Sequence, residues 1–228
     1  MSEIPALAAA AIVGYLAGSI SFTRLVARVV LPGESLEMTR LAFGDDGRPV
    51  DIRGVSATSL SVRAGRRWAL VVVALDMAKA ALPTLAFGLL APGTEAALVA
   101  AAAAVAGHVW PAWHRFVGGF GVSPILGALL VIDPLAIPAT IVVAGGIGLL
   151  LADRLIAYDG WTVLLGPWFV LRGETAEAVW ALVVAGIYWW AMRAEVIDHL
   201  RRVRRGGRPW RERLGDIRAG YTGEPDDH

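Results

Sequence analysis

The chain has 228 residues, of which 56% are apolar and only 18% charged, whereas a soluble domain is nearer a quarter charged. With a mean hydropathy of +0.58, this composition excludes an ordinary soluble domain and indicates an integral membrane protein. Cysteine is absent, which excludes disulfides, thiolate chemistry and cysteine metal sites. The net charge of +1 says nothing about partners, because the charges are segregated along the chain.

The N-terminal segment, residues 1–20, has no basic residue and carries Glu3. A secretory signal peptide begins with a positively charged region, so this segment is expected to be a retained first helix and not a cleaved signal.

Long apolar stretches follow one another along the chain, and each is a predicted membrane span. They cover residues 5–31, 67–91, 94–114, 122–151, 158–171 and 175–192. The stretch 122–151 is interrupted by Asp133-Pro134, so it forms either two helices with a tight turn or a re-entrant hairpin. We therefore predict an all-α, polytopic membrane bundle of about seven transmembrane helices, with five spans plus a re-entrant hairpin as the alternative. The transmembrane domain is 1–195 and a basic tail is 196–228.

Arginine and lysine are distributed asymmetrically between the loops on the two sides of these spans. Six lie in the loop 32–67 and nine follow residue 192, whereas the loops on the opposite side carry only Arg172. Positive charge accumulates on the cytoplasmic side of membrane proteins. The prediction is a multi-pass membrane protein with its N-terminus outside and its C-terminus in the cytoplasm.

The segment "GHVWPAWHRFVGGFGV" (107–122) interrupts the apolar pattern with a basic, aromatic and glycine-rich turn. Glycines let the backbone approach a ligand, and successive free amides can hold an anion, especially where a helix begins. The alternative interpretation is a tight re-entry into the membrane in which small residues allow close helix packing.

Ionisable residues inside the predicted spans are a second group of candidates. His108 lies about 9 Å from the end of its span and either acts as a base or bonds a neighbouring carbonyl. Asp76 and Lys79 lie one helical turn apart, where they either contact substrate or form an ion pair that only neutralises itself.

The loop 51–67 contains Arg53 and Arg63, whose guanidinium groups suit phosphate oxygens. The alternative role for them is that of a topology signal attracted to anionic lipid. The same attraction to membrane lipids, and no nucleic-acid partner, is expected for the tail arginines between Arg201 and Arg213. No metal cluster is recognisable in the sequence, and no cofactor is predicted.

Four segments together resemble the bacterial acyl-phosphate:glycerol-3-phosphate acyltransferases, the PlsY family, in their order and approximate spacing. They are "GSISF" (18–22), "DIR" with "AT" (51–53 and 57–58), "LDMAKAALP" (75–83) and the segment 107–122. The resemblance implies a seven-span enzyme with a cytoplasmic-side site. Such an enzyme transfers an acyl group from acyl phosphate to glycerol 3-phosphate without a metal. It also implies a site whose members are His108 as the catalytic residue and Ser19, Arg53, Arg63, Lys79, Gly118, Gly119 and Gly121 as substrate-binding residues.

The sequence departs from the family pattern at several positions. Ser21 stands where proline is common, Phe120 replaces the lysine of the glycine loop, and the late His-Arg-x-Asn motif is at best Met192–Glu195. His199 is a possible substitute for the lost histidine. The alternative function is therefore a non-catalytic relative that binds lipid or a partner protein.

Overall fold

A computed structural model describes residues 3–33, 38–42, 49–53, 55–204 and 209–219. Helices dominate the described residues. The first half contains α1 (Glu3–Gly18), α2 (Phe22–Val30), β1 (Met38–Ala42), β2 (Pro49–Arg53), α3 (Ala57–Ala64), α4 (Arg66–Leu90) and α5 (Ala96–Val109). A single 3-10 turn, Ala112–His114, follows α5. The second half contains α6 (Val122–Ile132), α7 (Ala136–Leu151), α8 (Arg154–Asp159), α9 (Trp161–Leu171), α10 (Thr175–Ala191), α11 (Arg193–Arg204) and α12 (Trp210–Ala219).

The predicted first span is broken near its end into α1 and α2. The hydroxyl of Ser19 donates to the carbonyl of Tyr15 over 2.8 Å and accepts a bond of 3.4 Å from the backbone amide of Ala112. The break is thus held by a contact between distant parts of the chain, and no proline causes it. It exposes polar backbone groups at the level where α5 ends.

Glycines bring α1 and α5 into direct backbone contact. A Cβ added to Gly14 or Gly18 would lie 2.3 Å or 2.1 Å from a carbonyl oxygen of α5, and one on Gly107 would lie 2.2 Å from the carbonyl of Tyr15. Small residues of this kind are how membrane helices approach closely. Because the approach is so close, the break after α1 lies directly beside the end of α5.

The stretch 122–151 forms two helices, α6 and α7, an arrangement that both predicted alternatives share. Asp133 ends α6, and its carboxylate accepts a hydrogen bond of 3.0 Å from the amide of Leu135. The loop 32–67 differs from expectation, because part of it pairs as an antiparallel hairpin with Met38 opposite Arg53.

Three helical segments of the described chain are long and apolar enough to cross a membrane, namely Glu3–Val30, Arg66–Leu90 and Ala96–His114. A fourth results if α10 and α11 count as one bent span, while α6, α7 and α9 are shorter. A total of seven spans therefore stays a prediction. The main core lies between α5, α6, α9 and α10 and contains the fully buried Val105, Ile125, Leu165, Phe169 and Val184.

Contacts between loops divide them between the two ends of the bundle. Arg172 lies 3.7 Å from the carboxylate of Asp133, so the loops at those positions share one end of the bundle. At the other ends of these helices, the amide of Val55 donates to the carbonyl of Gly118 over 3.1 Å, and His199 lies 3.0 Å from Asp153. The loops rich in arginine are therefore grouped away from the end that holds Arg172.

Candidate active site

A cleft lies where the break between α1 and α2 meets α4, α5 and the glycine loop. Its lining combines residues of the break, including Gly18, with three ionisable side chains and the two glycines of the glycine loop. The lining residues are Gly18, Ser19, Ile20, Ser21, Thr23, Val55, Asp76, Lys79, His108, Pro111, Gly118 and Gly119.

The ionisable residues of the cleft form one buried group. Lys79, the only lysine of the sequence, places its Nζ 2.7 Å from the Oδ1 of Asp76, and both side chains are 3% exposed. The same oxygen lies 3.8 Å from the Nδ1 of His108. The lysine also donates a hydrogen bond of 2.7 Å to the carbonyl of Ile20. Because each charge has a partner, the group is stable inside the bundle and still borders the cleft.

The glycine loop closes over His108. A Cβ on Gly119 would lie 2.3 Å from the Nε2 of His108, and a Cβ on Gly118 would lie 2.0 Å from its carbonyl oxygen. The amide of Gly119 donates to that carbonyl over 3.2 Å. Only glycine fits at either position. The loop can lie against the imidazole because neither residue has a side chain.

The turn before these glycines has an unusual backbone. Arg115 and Phe116 both have positive φ, at 52° and 60°, a conformation that is uncommon for residues other than glycine. The amide of Phe116 donates to the carbonyl of Pro111 over 3.2 Å, and that of Val117 donates to His114 over 3.0 Å. These bonds hold the sharp reversal that carries the chain from α5 back to the cleft.

The structure brings five of the eight predicted site residues together. His108, Ser19, Lys79, Gly118 and Gly119 all line the cleft. The hydroxyl of Ser19 is fully buried and is already bonded within the break, so its contribution to the cleft is mainly structural.

The other three predicted residues are not among the described residues that line the cleft. Gly121 has a φ of 105° and begins α6, so its role is to turn the chain into that helix. Arg63 lies in the last turn of α3, outside the lining of the cleft. Arg53 ends β2, and its side chain lies outside the described part of the structure.

Two contributors to the cleft escaped the sequence analysis. The carbonyl of Ile20 holds the ammonium of Lys79, and Val55 connects its amide to Gly118. Both contribute through backbone atoms, and a pattern of side chains in the sequence does not predict such contacts. The only sequence feature near this site that suggested a special backbone was the Gly18-Ser19 pair before Ile20.

His199 does not replace the missing histidine at the cleft. Its Nε2 lies 3.0 Å from the Oδ2 of Asp153, a residue that also caps the start of α8. This hydrogen bond, ahead of a bond from the amide of Ile156, holds the pKa of the Asp153 carboxyl below its usual value of 3.8. His199 therefore joins α11 to α8.

The chain is similar to known proteins along most of its length. Residues 8–202 match the family model described as glycerol-3-phosphate acyltransferase. A glycerol-3-phosphate acyltransferase of Anaeromyxobacter sp. (strain Fw109-5) is 33% identical over 198 residues, covering 84% of this chain and 88% of the relative. One of Hyphomonas neptunium (strain ATCC 15444) is 34% identical over 197 residues, covering 83% and 87%.

A solved structure shares the fold. The crystal structure of PlsY, an integral membrane glycerol 3-phosphate acyltransferase, in its glycerol 3-phosphate form, matches with a TM-score of 0.69 at 23% identity. The match covers 86% of this chain and 92% of that one. The predicted all-α, multi-pass membrane fold and the predicted resemblance are both confirmed. This chain belongs to the glycerol-3-phosphate acyltransferase family.

Proposed function

We propose that the protein is a membrane acyltransferase of glycerophospholipid synthesis that uses acyl phosphate as donor and glycerol 3-phosphate as acceptor. The observation that carries this proposal is the meeting of Asp76, Lys79, His108 and the two loop glycines at one cleft. Family membership supports the reaction class. The acceptor hydroxyl oxygen attacks the acyl carbon, the bond from that carbon to the phosphate oxygen breaks, and the phosphate leaves with the hydroxyl proton.

His108 is proposed to orient the acceptor hydroxyl and to relay its proton. With a proton on Nδ1, which faces Asp76, the Nε2 beneath Gly119 accepts a hydrogen bond. Holding the two reactants in line supplies most of the acceleration expected of such a site, since no covalent intermediate is needed. Asp76 thus serves to fix the imidazole.

The phosphate of the acceptor is proposed to bind between Lys79 and the amide of Gly118, since the amide of Gly119 already donates to the carbonyl of His108. A lysine and bare peptide amides are both suited to phosphate oxygens. Arg53, the last residue of β2, and Arg63, in the last turn of α3, stay proposed as further phosphate ligands. Membrane lipids supply the surroundings in which the acyl chain lies.

The protein is proposed to lie in the bacterial inner membrane with its N-terminus outside. The arginine-rich loops then place the cleft at the cytoplasmic surface, where both soluble acceptor and phosphorylated donor are available. The grouping of loops at the two ends of the bundle supports this orientation.

The alternative function is a non-catalytic family member that binds a lipid or a partner protein. Two observations favour it. Phe120 occupies the position of the family's loop lysine, and the hydroxyl of Ser19 is engaged within the fold. Loss of one donor to a developing charge costs an enzyme about 10²–10³ in rate, so several losses would leave little catalysis.

The decisive experiment supplies purified protein with acyl phosphate and glycerol 3-phosphate, then measures orthophosphate and lysophosphatidate. The proposal expects both products in equal amounts, and expects Lys79→Met and His108→Ala to lower the rate by about 10²-fold or more. The matched control is Thr84→Val, a buried change on the same helix outside the cleft. Absence of product from folded protein with acyl phosphates of several chain lengths would favour the non-catalytic alternative.

A further inference from the structure

The polypeptide changes direction sharply where α10 ends. The axis of Thr175–Ala191 and that of Arg193–Arg201 differ by 65°. If α10 crosses the bilayer, α11 cannot continue along the same line and runs obliquely to the membrane normal. Its length of about 18 Å is sufficient for three turns along a surface.

The rotation of α11 about its own axis is set by contacts with the bundle. Val196 packs against the main core, and His199 is joined to Asp153 of the loop before α8. The two carboxylates of α11, Glu195 and Asp198, are likewise half-buried. These residues define the inner face of the helix.

The outer face of α11 combines apolar and basic side chains. Ile197 and Leu200 are each about half exposed, at 47% and 50%. The exposed arginines beside them are Arg193, Arg201 and Arg204. No exposed carboxylate lies on this face among the described side chains of α11. Hydrophobic and cationic groups without anions are suited to one kind of surface, an anionic lipid headgroup layer.

An aromatic residue fixes the depth of the bend. Trp190 is 60% exposed at the end of α10, and the guanidinium of Arg193 lies 5.1 Å from the centre of its ring. Arg193 also donates to the carbonyl of Trp190 over 2.8 Å. Tryptophan and arginine together are typical of the headgroup level of a membrane. The helix that begins at Arg193 therefore begins at that level.

We propose that α11 is an in-plane membrane helix whose outer face, defined by Ile197, Leu200, Arg193, Arg201 and Arg204, binds anionic phospholipid headgroups. The apolar side chains enter the boundary between headgroups and acyl chains, and the arginines contact phosphate oxygens. This inference concerns a surface distinct from the cleft and holds whether or not the protein is catalytic.

Fluorescence quenching on the full chain tests the proposal. Because the sequence has no cysteine, Leu200→Cys gives a single labelling site on an exposed position without further changes. The labelled protein is reconstituted into nanodiscs of phosphatidylcholine alone or mixed with phosphatidylglycerol. The expected result is strong quenching by a nitroxide at the lipid headgroup and weak quenching by aqueous iodide, with the phosphatidylglycerol discs showing the larger ratio.

Charge variants distinguish lipid binding from mere proximity. Arg201→Glu/Arg204→Glu should lower the ratio of lipid to aqueous quenching several-fold in phosphatidylglycerol discs, whereas Arg201→Lys/Arg204→Lys should preserve it. Arg211→Glu, an equal charge change per residue on the exposed surface of α12, is the matched control and should have little effect. A label at Val183→Cys on α10 supplies the reference for deep burial in lipid.

Three results would overturn the proposal. Equal iodide access in both lipid compositions would show that α11 stands in water. Quenching at the acyl-chain depth of Val183→Cys would show that α11 continues the span. Protection from iodide that needs an added cell extract, and not phosphatidylglycerol, would identify a protein partner instead.

Discussion

The ammonium of Lys79 donates a hydrogen bond of 2.7 Å to the carbonyl of Ile20, which ties the middle of α4 to the break between α1 and α2. The two residues are 59 positions apart in the chain. The same ammonium also forms an ion pair with the carboxylate of Asp76. The backbone of the break and the base of the cleft are thus one connected structure.

Replacement of the lysine should therefore affect both stability and activity. Lys79→Met leaves the carboxylate of Asp76 buried without its cation, which costs about 3–5 kcal/mol in the free energy of unfolding. The double variant Lys79→Met/Asp76→Asn should recover most of that loss but not the transfer rate. Thermal unfolding in detergent and the orthophosphate assay check the two effects separately. Full activity in the folded double variant would contradict a role for Lys79 in the site.

The glycine loop offers a matched pair of alanine substitutions. Gly119→Ala places a methyl 2.3 Å from the Nε2 of His108, so either the ring or the loop must move. We expect a cost of about 1–3 kcal/mol in stability and a large fall in kcat. Gly145→Ala on α7, where a Cβ meets nothing within 4 Å, should stabilise its helix by about 0.5–1 kcal/mol and leave transfer unchanged. Equal kinetics for the two variants would refute close packing of the loop on the imidazole.

Acid should weaken the link between α8 and α11. The pKa of Asp153 is below 3.8 in the folded protein, chiefly because of its hydrogen bond with His199. A lowered pKa contributes stability above pH 3.8 that is lost as the pH falls through the folded value. His199→Ala should thus be less stable than the parent above pH 3.8, with the difference shrinking below it. Unfolding measured from pH 3 to pH 6 (roughly the range over which carboxylates titrate) tests this, and a difference that grows in acid would contradict it.

The predicted sidedness can be tested with single cysteines. Trp113→Cys lies in the turn after α5, and Thr94→Cys lies in the loop before it. A membrane-impermeant thiol reagent should label Trp113→Cys in inside-out vesicles and Thr94→Cys in intact spheroplasts. The reverse pattern would place the arginine-rich loops outside the cell.

Hydropathy predicted the outer limits of several helices closely. The predicted span 67–91 is α4, Arg66–Leu90, and 175–192 is α10, Thr175–Ala191. These limits depend on local composition, which the sequence displays directly. The break within 5–31 was not predicted, because the Gly18-Ser19 pair is a weak local signal and a hydrogen bond from the distant Ala112 to Ser19 helps to hold it.

The site likewise has features that the local sequence predicts and features that depend on contacts between distant residues. The ion pair of Asp76 and Lys79 follows from their spacing on one helix. The glycines of the loop predict a close approach of the backbone to a neighbouring group. The residue that the glycines contact could not be predicted from the sequence. The contact of Gly119 with His108 depends on how the loop folds back after Pro111. Arg63 was chosen for its chemistry alone, and from its position in the last turn of α3 a contact with phosphate stays a prediction.

The most direct test of the cleft as the acceptor site is protection of a cysteine within it. Ser21→Cys lines the cleft, and Trp113→Cys, 60% exposed before substitution, lies outside its lining. Glycerol 3-phosphate should slow thiol modification at Ser21→Cys in inside-out vesicles and leave Trp113→Cys unchanged, while glycerol should protect neither. Unchanged modification of Ser21→Cys in protein that still forms lysophosphatidate would place the acceptor elsewhere and contradict the account.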